Sequence, residues 1–190
     1  NFKPVKGKVD SENILDQWIT SRLNESIKNV TDSVEKYNAY KAAENIENFV
    51  INDLSNWYVR RSRERVNPSS MDEKDRYWAL QTLWWILNEY SRLLAPFVPF
   101  IAEEIYTNIT EEESVHLADW PEFDDRLISS VINSDMSKVR LLIEQGHAAR
   151  KAKDKKVRQP LGRLFISDLD DDERKRWMDD YEKVIKDELN

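Results

Sequence analysis

The chain contains no cysteine and only three glycines among its 190 residues. The lack of thiols excludes disulfides, thiolate metal sites and cysteine nucleophiles, and it makes a reducing compartment the default expectation. The scarcity of glycine argues against barrels and sandwiches, because their many turns depend on this residue. No apolar run approaches the ~20 residues of a membrane span, and the first residues lack the pattern of a signal peptide. We therefore expect a helical protein without a membrane partner.

Aromatic residues and charge are abundant, and the charge is unevenly distributed. Seven Trp, seven Tyr and six Phe indicate a packed core rather than a disordered chain. The net charge is −7, yet residues 138–163 carry nine basic and two acidic side chains, whereas residues 67–137 carry four and fourteen. For binding a polyanion such as RNA, this distribution matters more than the total.

Apolar residues recur every three or four positions along most of the chain, which predicts amphipathic helices. The first helix is expected to follow a cap at Asp10-Ser11-Glu12, and the third to follow a capping box at Ser70–Glu73. Leu164–Ile166 fits a short strand. The predicted helices cover 12–37, the segment from Asn38 to about Val66, the segment from the capping box to Pro96, then 97–109, about 127–153, and a last helix capped by Asp168–Asp172.

These elements predict a mainly α fold, an antiparallel bundle of four to five helices with a small C-terminal appendage. Residues 1–10 are polar and contain Pro4 and Gly7, so we assign them to a linker or docking segment. The bundle is assigned to 11–158, and the start of a small C-terminal unit to 159–190.

Four arginines occur within six residues: Arg60, Arg61, Arg63 and Arg65. One interpretation is phosphate contact, because the planar guanidinium group matches phosphate oxygens. The other is that they form ion pairs with internal carboxylates such as Glu89, Glu103 or Glu104. Helical spacing places Arg61 and Arg65 on the continuation of the apolar stripe, so these two are the candidates for internal pairing. Arg60 and Arg63 lie elsewhere around the helix and are better placed for phosphate.

A second basic segment follows the fifth predicted helix. Positive side chains at a helix end that leads into a loop are suited to backbone contacts along a nucleic acid, although a solvated charge run has the same pattern. The candidates in this segment are Lys151, Lys153, Lys155, Lys156 and Arg158.

The sequence shows no catalytic site. His116 and His147 are the only histidines, and neither has neighbours at metal-ligand spacing. Glu103 and Glu104 are adjacent in a predicted helix, so their side chains do not face each other. We expect no catalytic residue, no metal and no cofactor in this chain.

Several motifs together resemble the anticodon-binding region of isoleucyl-tRNA synthetases, which are class I aminoacyl-tRNA synthetases. The resemblance spans about residues 12–166. Its Ala-Pro-Phe-x-Pro-Phe element is shared with the valyl and leucyl relatives, whereas its last two elements favour the isoleucyl branch. The motifs are Leu15–Ile19, Leu54–Arg63, Leu93–Tyr106, Ser114–Pro121 and Lys156–Leu161.

This resemblance implies a helical bundle that contacts the anticodon stem of an isoleucine-specific tRNA. It also implies a cytoplasmic parent ligase that attaches isoleucine to tRNA, with ATP and Mg bound in a catalytic domain absent from this chain, beside which the bundle would lie. A further domain of the family edits mischarged products. Two alternatives stay open: the same module of a valyl-tRNA synthetase, or a helical domain that acts only as an intramolecular docking platform.

Overall fold

The computed structural model describes residues 2–5, 7, 10–167 and 169–190. Within these ranges the chain forms helices and no strands, which confirms the mainly α prediction. The chain divides into two compact units, residues 1–129 and 130–190. The first unit ends before the boundary near 158 that the sequence suggests, and the assignment of 11–158 to one functional domain stays a prediction. None of the described helices is long and apolar enough to cross a membrane.

Helix α1 spans Ile14–Glu35 and runs through the first unit. Leu23, Ile27 and Val30 are fully buried on its inner face, as the helical spacing predicts. Asn13, rather than the predicted Asp10–Glu12, caps the helix, since its side chain accepts a hydrogen bond from the Leu15 amide. Asn13 lies one position after Glu12, and its side-chain oxygen reaches an amide of the first helical turn.

The second helix contains a wide segment that the sequence did not predict. Helix α2 spans Ala39–Asn48, a π-helical segment follows over Phe49–Val59, and α3 covers Arg60–Ser62. The Tyr90 hydroxyl donates a 2.7 Å hydrogen bond to the Ile46 carbonyl shortly before the wide segment begins. Helical geometry ends at Ser62 instead of Val66, and the chain then turns.

Helix α4 spans Glu73–Leu94, and α5 spans Pro99–Ile109 after the predicted break at Pro96. The predicted capping box at Ser70–Glu73 is wrong: Asp72 is the cap and accepts from the Asp75 amide. Helices α4 and α5 form an antiparallel pair joined by a short corner. Part of the predicted linker lies on α4, because Gln81 exchanges two hydrogen bonds with the Val5 backbone at 3.0 and 2.7 Å. Residues 1, 6, 8 and 9 of that linker lie outside the described residues.

A mostly irregular segment with two short 3₁₀ turns, Val115–Leu117 and Asp125–Leu127, follows α5 and forms a strap that runs back along α1. The Trp120 indole donates to the Thr31 hydroxyl at 2.9 Å, and the Asp124 amide donates to the Asn24 side chain at 2.8 Å. Farther along, the Ser129 amide reaches the hydroxyl of Ser21. The acceptors thus follow α1 from its C-terminal half toward its N-terminus, which places the strap antiparallel to that helix.

The described residues of the second unit, 130–167 and 169–190, form three α-helices, with a π-helical turn at Trp177–Tyr181: α6 (Ser130–Ala152), α7 (Asp171–Arg176) and α8 (Glu182–Leu189). Asp170 caps α7 through the Glu173 amide, while Asp168 of the predicted cap lies outside the described residues. The strand suggested for Leu164–Ile166 is wrong, because this segment has no regular structure. Its apolar residues have no neighbouring strand within the described chain.

Candidate nucleic-acid interface

Arg65 lies at the end of the arginine-rich segment and binds two carboxylates. Its two terminal nitrogens each donate a 2.8 Å hydrogen bond to one oxygen of Asp16. Its Nε and one terminal nitrogen donate to Asp75 at 2.8 and 2.7 Å. The side chain of Arg65 is 12% exposed and that of Asp16 is 0% exposed. Four of the five guanidinium hydrogen-bond donors are therefore directed at protein carboxylates, which leaves little of Arg65 for phosphate.

Asp16 is the centre of this network. Besides Arg65, it accepts hydrogen bonds from the Tyr58 hydroxyl at 2.8 Å and the Ser11 hydroxyl at 2.6 Å. Burial lowers the pKa of Arg65, but the hydrogen bonds to Asp16 and Asp75 outweigh burial and leave the pKa raised. The internal partners are thus Asp16 and Asp75, and the expected partners Glu89, Glu103 and Glu104 were wrong for this residue. Instead, Glu89 binds Arg92, and Glu103 accepts from the Ser114 hydroxyl and the Val115 amide.

The other three arginines of the segment differ in exposure. Arg60 and Arg63 are exposed, whereas Arg61 is half-buried. The Arg60 guanidinium lies 5.8 Å from the centre of the Trp57 ring, and its Nε donates to the Asn56 carbonyl at 3.0 Å. Stacking on an aromatic ring holds a guanidinium in place. The exposure agrees with the division by helical spacing, and the contact of Arg60 and Arg63 with phosphate stays a prediction.

The second basic cluster lies at the C-terminal end of α6. Lys151, Lys153, Lys155, Lys156 and Arg158 are all exposed. The helix ends in a Schellman motif, in which the Lys155 amide donates to the Arg150 carbonyl and the Asp154 amide to the Lys151 carbonyl. Asp154 takes the left-handed position of the motif with φ 51°. The motif reverses the chain directly after α6, so that the five cations lie on the helix end and on the turn that follows.

Arg150 organises this turn from inside. It is buried and donates to the carbonyls of Lys156 at 3.1 Å and Gln159 at 2.8 Å. It also donates to the carbonyls of Leu189 and Asn190, the latter at 3.2 Å. Arg150 therefore links the lysine turn (residues 153–158) to the end of α8. Its positive charge is directed at backbone oxygens of its own unit.

Sequence reasoning predicted the internal pairing of Arg65 but not its partners, and it missed the internal role of Arg150. Spacing already separated Arg65 from Arg60 and Arg63, but the carboxylates that bind it come from positions 49 residues earlier and 10 residues later. Arg150 is three residues before Lys153 and resembles the other cations in sequence. Only the packing of α8 against α6 distinguishes it.

The described residues hold no group of three or more acidic or histidine side chains that could bind a metal ion. The two basic clusters belong to different compact units, Arg60 and Arg63 to residues 1–129 and the lysine turn to residues 130–190. Each cluster is an exposed set of cations beside an arginine, Arg65 or Arg150, whose donors bind groups of its own unit. This arrangement can bind phosphate through charge.

Comparison with known proteins agrees with this chemistry. The sequence model of the family described as "Anticodon-binding domain of tRNA ligase" matches residues 16–165. The chain belongs to this family.

Curated relatives match the chain over its whole length. The isoleucine–tRNA ligase of Clostridium tetani is 40% identical over 196 residues, that of Thermococcus kodakarensis 37% over 198, and that of Pyrococcus abyssi 39% over 196. In each comparison 100% of this chain and 18% of the relative are covered. The chain therefore spans about a fifth of the length of these ligases.

Proposed function

We propose that this chain is the tRNA-binding module of an isoleucine–tRNA ligase and contacts the anticodon arm of its tRNA. The similarity over the whole chain to ligases of that name carries the proposal. The two exposed basic clusters supply the chemistry, since phosphate contacts from Lys and Arg dominate affinity for nucleic acids. The overall net charge of −7 is no obstacle, because exposed cations cluster within residues 60–65 and 150–158.

Within the proposed contact, the arginines have two roles. Arg60 and Arg63 bind phosphate oxygens from the exposed end of α3 and the turn after it. Arg65 fixes that turn through Asp16 and Asp75, so the exposed side chains start from a rigid backbone. In the second unit Arg150 does the same for the lysine turn. Binding thus requires little ordering of the backbone, which reduces its entropic cost.

The parent protein would attach isoleucine to tRNA in the cytoplasm. ATP and Mg would be bound by its catalytic domain, and this chain supplies no residue to that chemistry. The valyl alternative is weaker, because the relatives from Clostridium tetani, Thermococcus kodakarensis and Pyrococcus abyssi are isoleucine–tRNA ligases.

Filter binding of an isoleucine-specific tRNA at several salt concentrations tests the proposal. The logarithm of the association constant should fall linearly with the logarithm of the salt concentration, by about 0.7–0.9 per phosphate neutralised. Arg63→Glu and Lys155→Glu should each weaken binding and reduce this slope by about one. The matched control is Lys183→Glu, which makes the same charge change at an exposed position of α8.

Two results would contradict the proposal. One is an affinity for the tRNA no higher than for a random RNA of equal length. The other is an equal loss from all three charge reversals, which would mean that binding depends on net charge and not on the two clusters.

A docking platform is the second candidate function, and one observation favours it. A groove of about 740 Å³ opens in the second unit and is lined by apolar residues including Leu164, Ile166, Trp177 and Ile185. Exposed apolar grooves of this size commonly receive another segment or domain. A chain that folds but binds no RNA would favour this candidate.

A further inference from the structure

The turn between α1 and α2 presents two tyrosine rings to solvent. Tyr37 is 97% exposed and Tyr40 is 80% exposed. Neither hydroxyl group has a hydrogen-bond partner among the residues that the structure describes. Two other tyrosines of the unit, Tyr58 and Tyr90, are buried and donate hydrogen bonds to Asp16 and to the Ile46 carbonyl. Packing within the unit therefore explains Tyr58 and Tyr90 but does not explain the pair on the turn.

The backbone at Tyr37 makes its exposure more informative. Tyr37 has φ 55°, in the left-handed region that favours glycine. It occupies the position after the helix end in a Schellman motif, because its amide donates to the Val34 carbonyl at 2.9 Å and the Asn38 amide to the Ser33 carbonyl at 2.8 Å. Glycine or asparagine would be the more stable choice there. A bulky residue held in this conformation, with its ring in solvent, indicates a function outside the folding of the unit.

The turn is rigid, and it lies far from the arginines. Asn38 caps α2 through the Lys41 amide at 3.1 Å, so hydrogen bonds fix the backbone on both sides of Tyr37. The starts of α1 and α4 meet at Arg65, whereas this turn follows the end of α1. The 22 residues of α1 correspond to ~33 Å along the helix axis.

The charge beside the rings suits an anion. Lys36 precedes Tyr37 and Lys41 follows Tyr40, and both lysines are exposed. Residues 36–41 contain no acidic side chain. Lys41 is paired with Glu44 at 2.7 Å, which leaves its charge partly neutralised, so the attraction to an anion is modest and the rings are the main feature.

We infer that Tyr37 and Tyr40 form a stacking surface for unpaired nucleobases of RNA. Exposed aromatic side chains bind single-stranded nucleic acid in this way, because every base presents a π face, and adjacent lysines contact the phosphates. The inference rests on the proposed function and extends it to a second contact at the opposite end of the first unit. The arginine turn (residues 60–65) contacts phosphate, and the tyrosine turn (residues 37–40) contacts bases that are not paired.

Two RNAs separate base stacking from phosphate contact. The first is a hairpin with the anticodon-arm sequence of an isoleucine-specific tRNA, and the second is a blunt duplex of the same stem without the loop. The double variant Tyr37→Gly/Tyr40→Ala should lose between about fivefold and about 150-fold in affinity for the hairpin. Its affinity for the duplex and its salt slope should stay unchanged, because no charge is altered.

The design includes controls for folding and for the ring. Glycine at position 37 removes the ring and suits the left-handed backbone, so Tyr37→Gly keeps the turn. The variant Tyr37→Phe/Tyr40→Phe keeps both rings and should retain hairpin binding. Leu117→Ala removes a 72% exposed apolar side chain elsewhere in the same unit and should change neither affinity.

The possible failures are distinguishable. If the unsubstituted chain binds tRNA and the Gly/Ala variant binds the hairpin equally well, the stacking surface is wrong and the tyrosines are left for contact with a protein domain. An equal loss on hairpin and duplex would also overturn it, because the rings would then not select unpaired bases. If the unsubstituted chain binds no RNA, the proposed function fails, and the stacking surface fails with it.

Discussion

Arg65 and Asp16 form a bidentate ion pair between the turn after α3 and the first turn of α1, with both hydrogen bonds at 2.8 Å. A buried charge pair need not stabilise a fold relative to apolar residues, but the loss of one partner is expensive because the other charge is left unpaired. Because this pair engages Arg65, the exposed arginines of the segment are Arg60 and Arg63. The consequences of the pair for stability can be measured without RNA.

Replacing Asp16 tests the pair directly. Asp16→Asn keeps the size of the side chain but places an amide donor against the donors of Arg65 and removes the negative charge. We expect the free energy of unfolding to fall by about 3–5 kcal/mol. Urea denaturation measures this change. The matched control is Glu12→Gln, since Glu12 is exposed and lies 3.8 Å from Lys74, and it should have no measurable effect. Equal effects of the two substitutions would show that the Asp16 network contributes nothing to stability.

Buried tyrosines predict a loss of stability at alkaline pH. Burial, reinforced by the charge of Asp16, raises the pKa of Tyr58 well above its ordinary value of 10.0. Burial alone raises the pKa of Tyr90. The folded state therefore keeps these protons while the unfolded state releases them above pH 10, so the stability present below pH 10 is lost as the pH rises.

Denaturation between pH 8 and about 11 checks this expectation, because it covers the ordinary pKa of tyrosine. Tyr58→Phe should show a shallower alkaline decline than the unsubstituted chain. At pH 8 it should also be less stable by about 1.5–3 kcal/mol, since the hydrogen bond to the Asp16 carboxylate is lost. An unchanged alkaline slope would mean that Tyr58 does not govern it.

Arg150 is expected to hold the lysine turn in place. Arg150→Met removes the donors to the carbonyls of Lys156, Gln159, Leu189 and Asn190. Trypsin should then cleave after Lys153, Lys155 and Lys156 at least several-fold faster, because local opening exposes the backbone. Lys151→Met, which removes an exposed cation from the same helix end, is the control. Cleavage at the same rate in both variants would show that the turn does not depend on Arg150.

Gly146 permits the close approach of α6 and α8. A Cβ atom at this position would lie 2.7 and 2.9 Å from the two methyl carbons of Leu189. Alanine improves helix propensity by about 0.5–1 kcal/mol, but overpacking costs about 1–3 kcal/mol, so Gly146→Ala should destabilise the unit. In a Leu189→Ala background the same substitution should become stabilising. This reversal of sign in a double-mutant cycle is the measurement.

The long helices could be predicted because their patterns are local. The apolar spacing in α1 and the break at Pro96 depend on residues within a few positions, and the structure confirms both. Caps were less predictable, because several oxygen-bearing side chains compete at each helix start. Asn13 and Asp72 prevailed over the positions chosen from the capping pattern.

The sequence predicted which arginines of the candidate site are exposed, but not the partners of Arg65. Helical spacing separated Arg65 from Arg60 and Arg63, since the direction of a side chain on a helix follows from its position. The identity of the partners of Arg65 depends on how α1 and α4 meet, which no local pattern determines. The π-helical segment Phe49–Val59 was missed for the same reason, because its residues have ordinary helical spacing.

The arginine turn and the tyrosine turn are separated by the length of α1. This distance sets a minimum size for a ligand that contacts both. An RNA that contacts the arginine turn and the tyrosine turn together must span ~33 Å. A ligand too short to reach both would gain only one contact, and its affinity would lack the gain from linkage. The length of one helix would then select partners by size, independently of any base that a side chain reads.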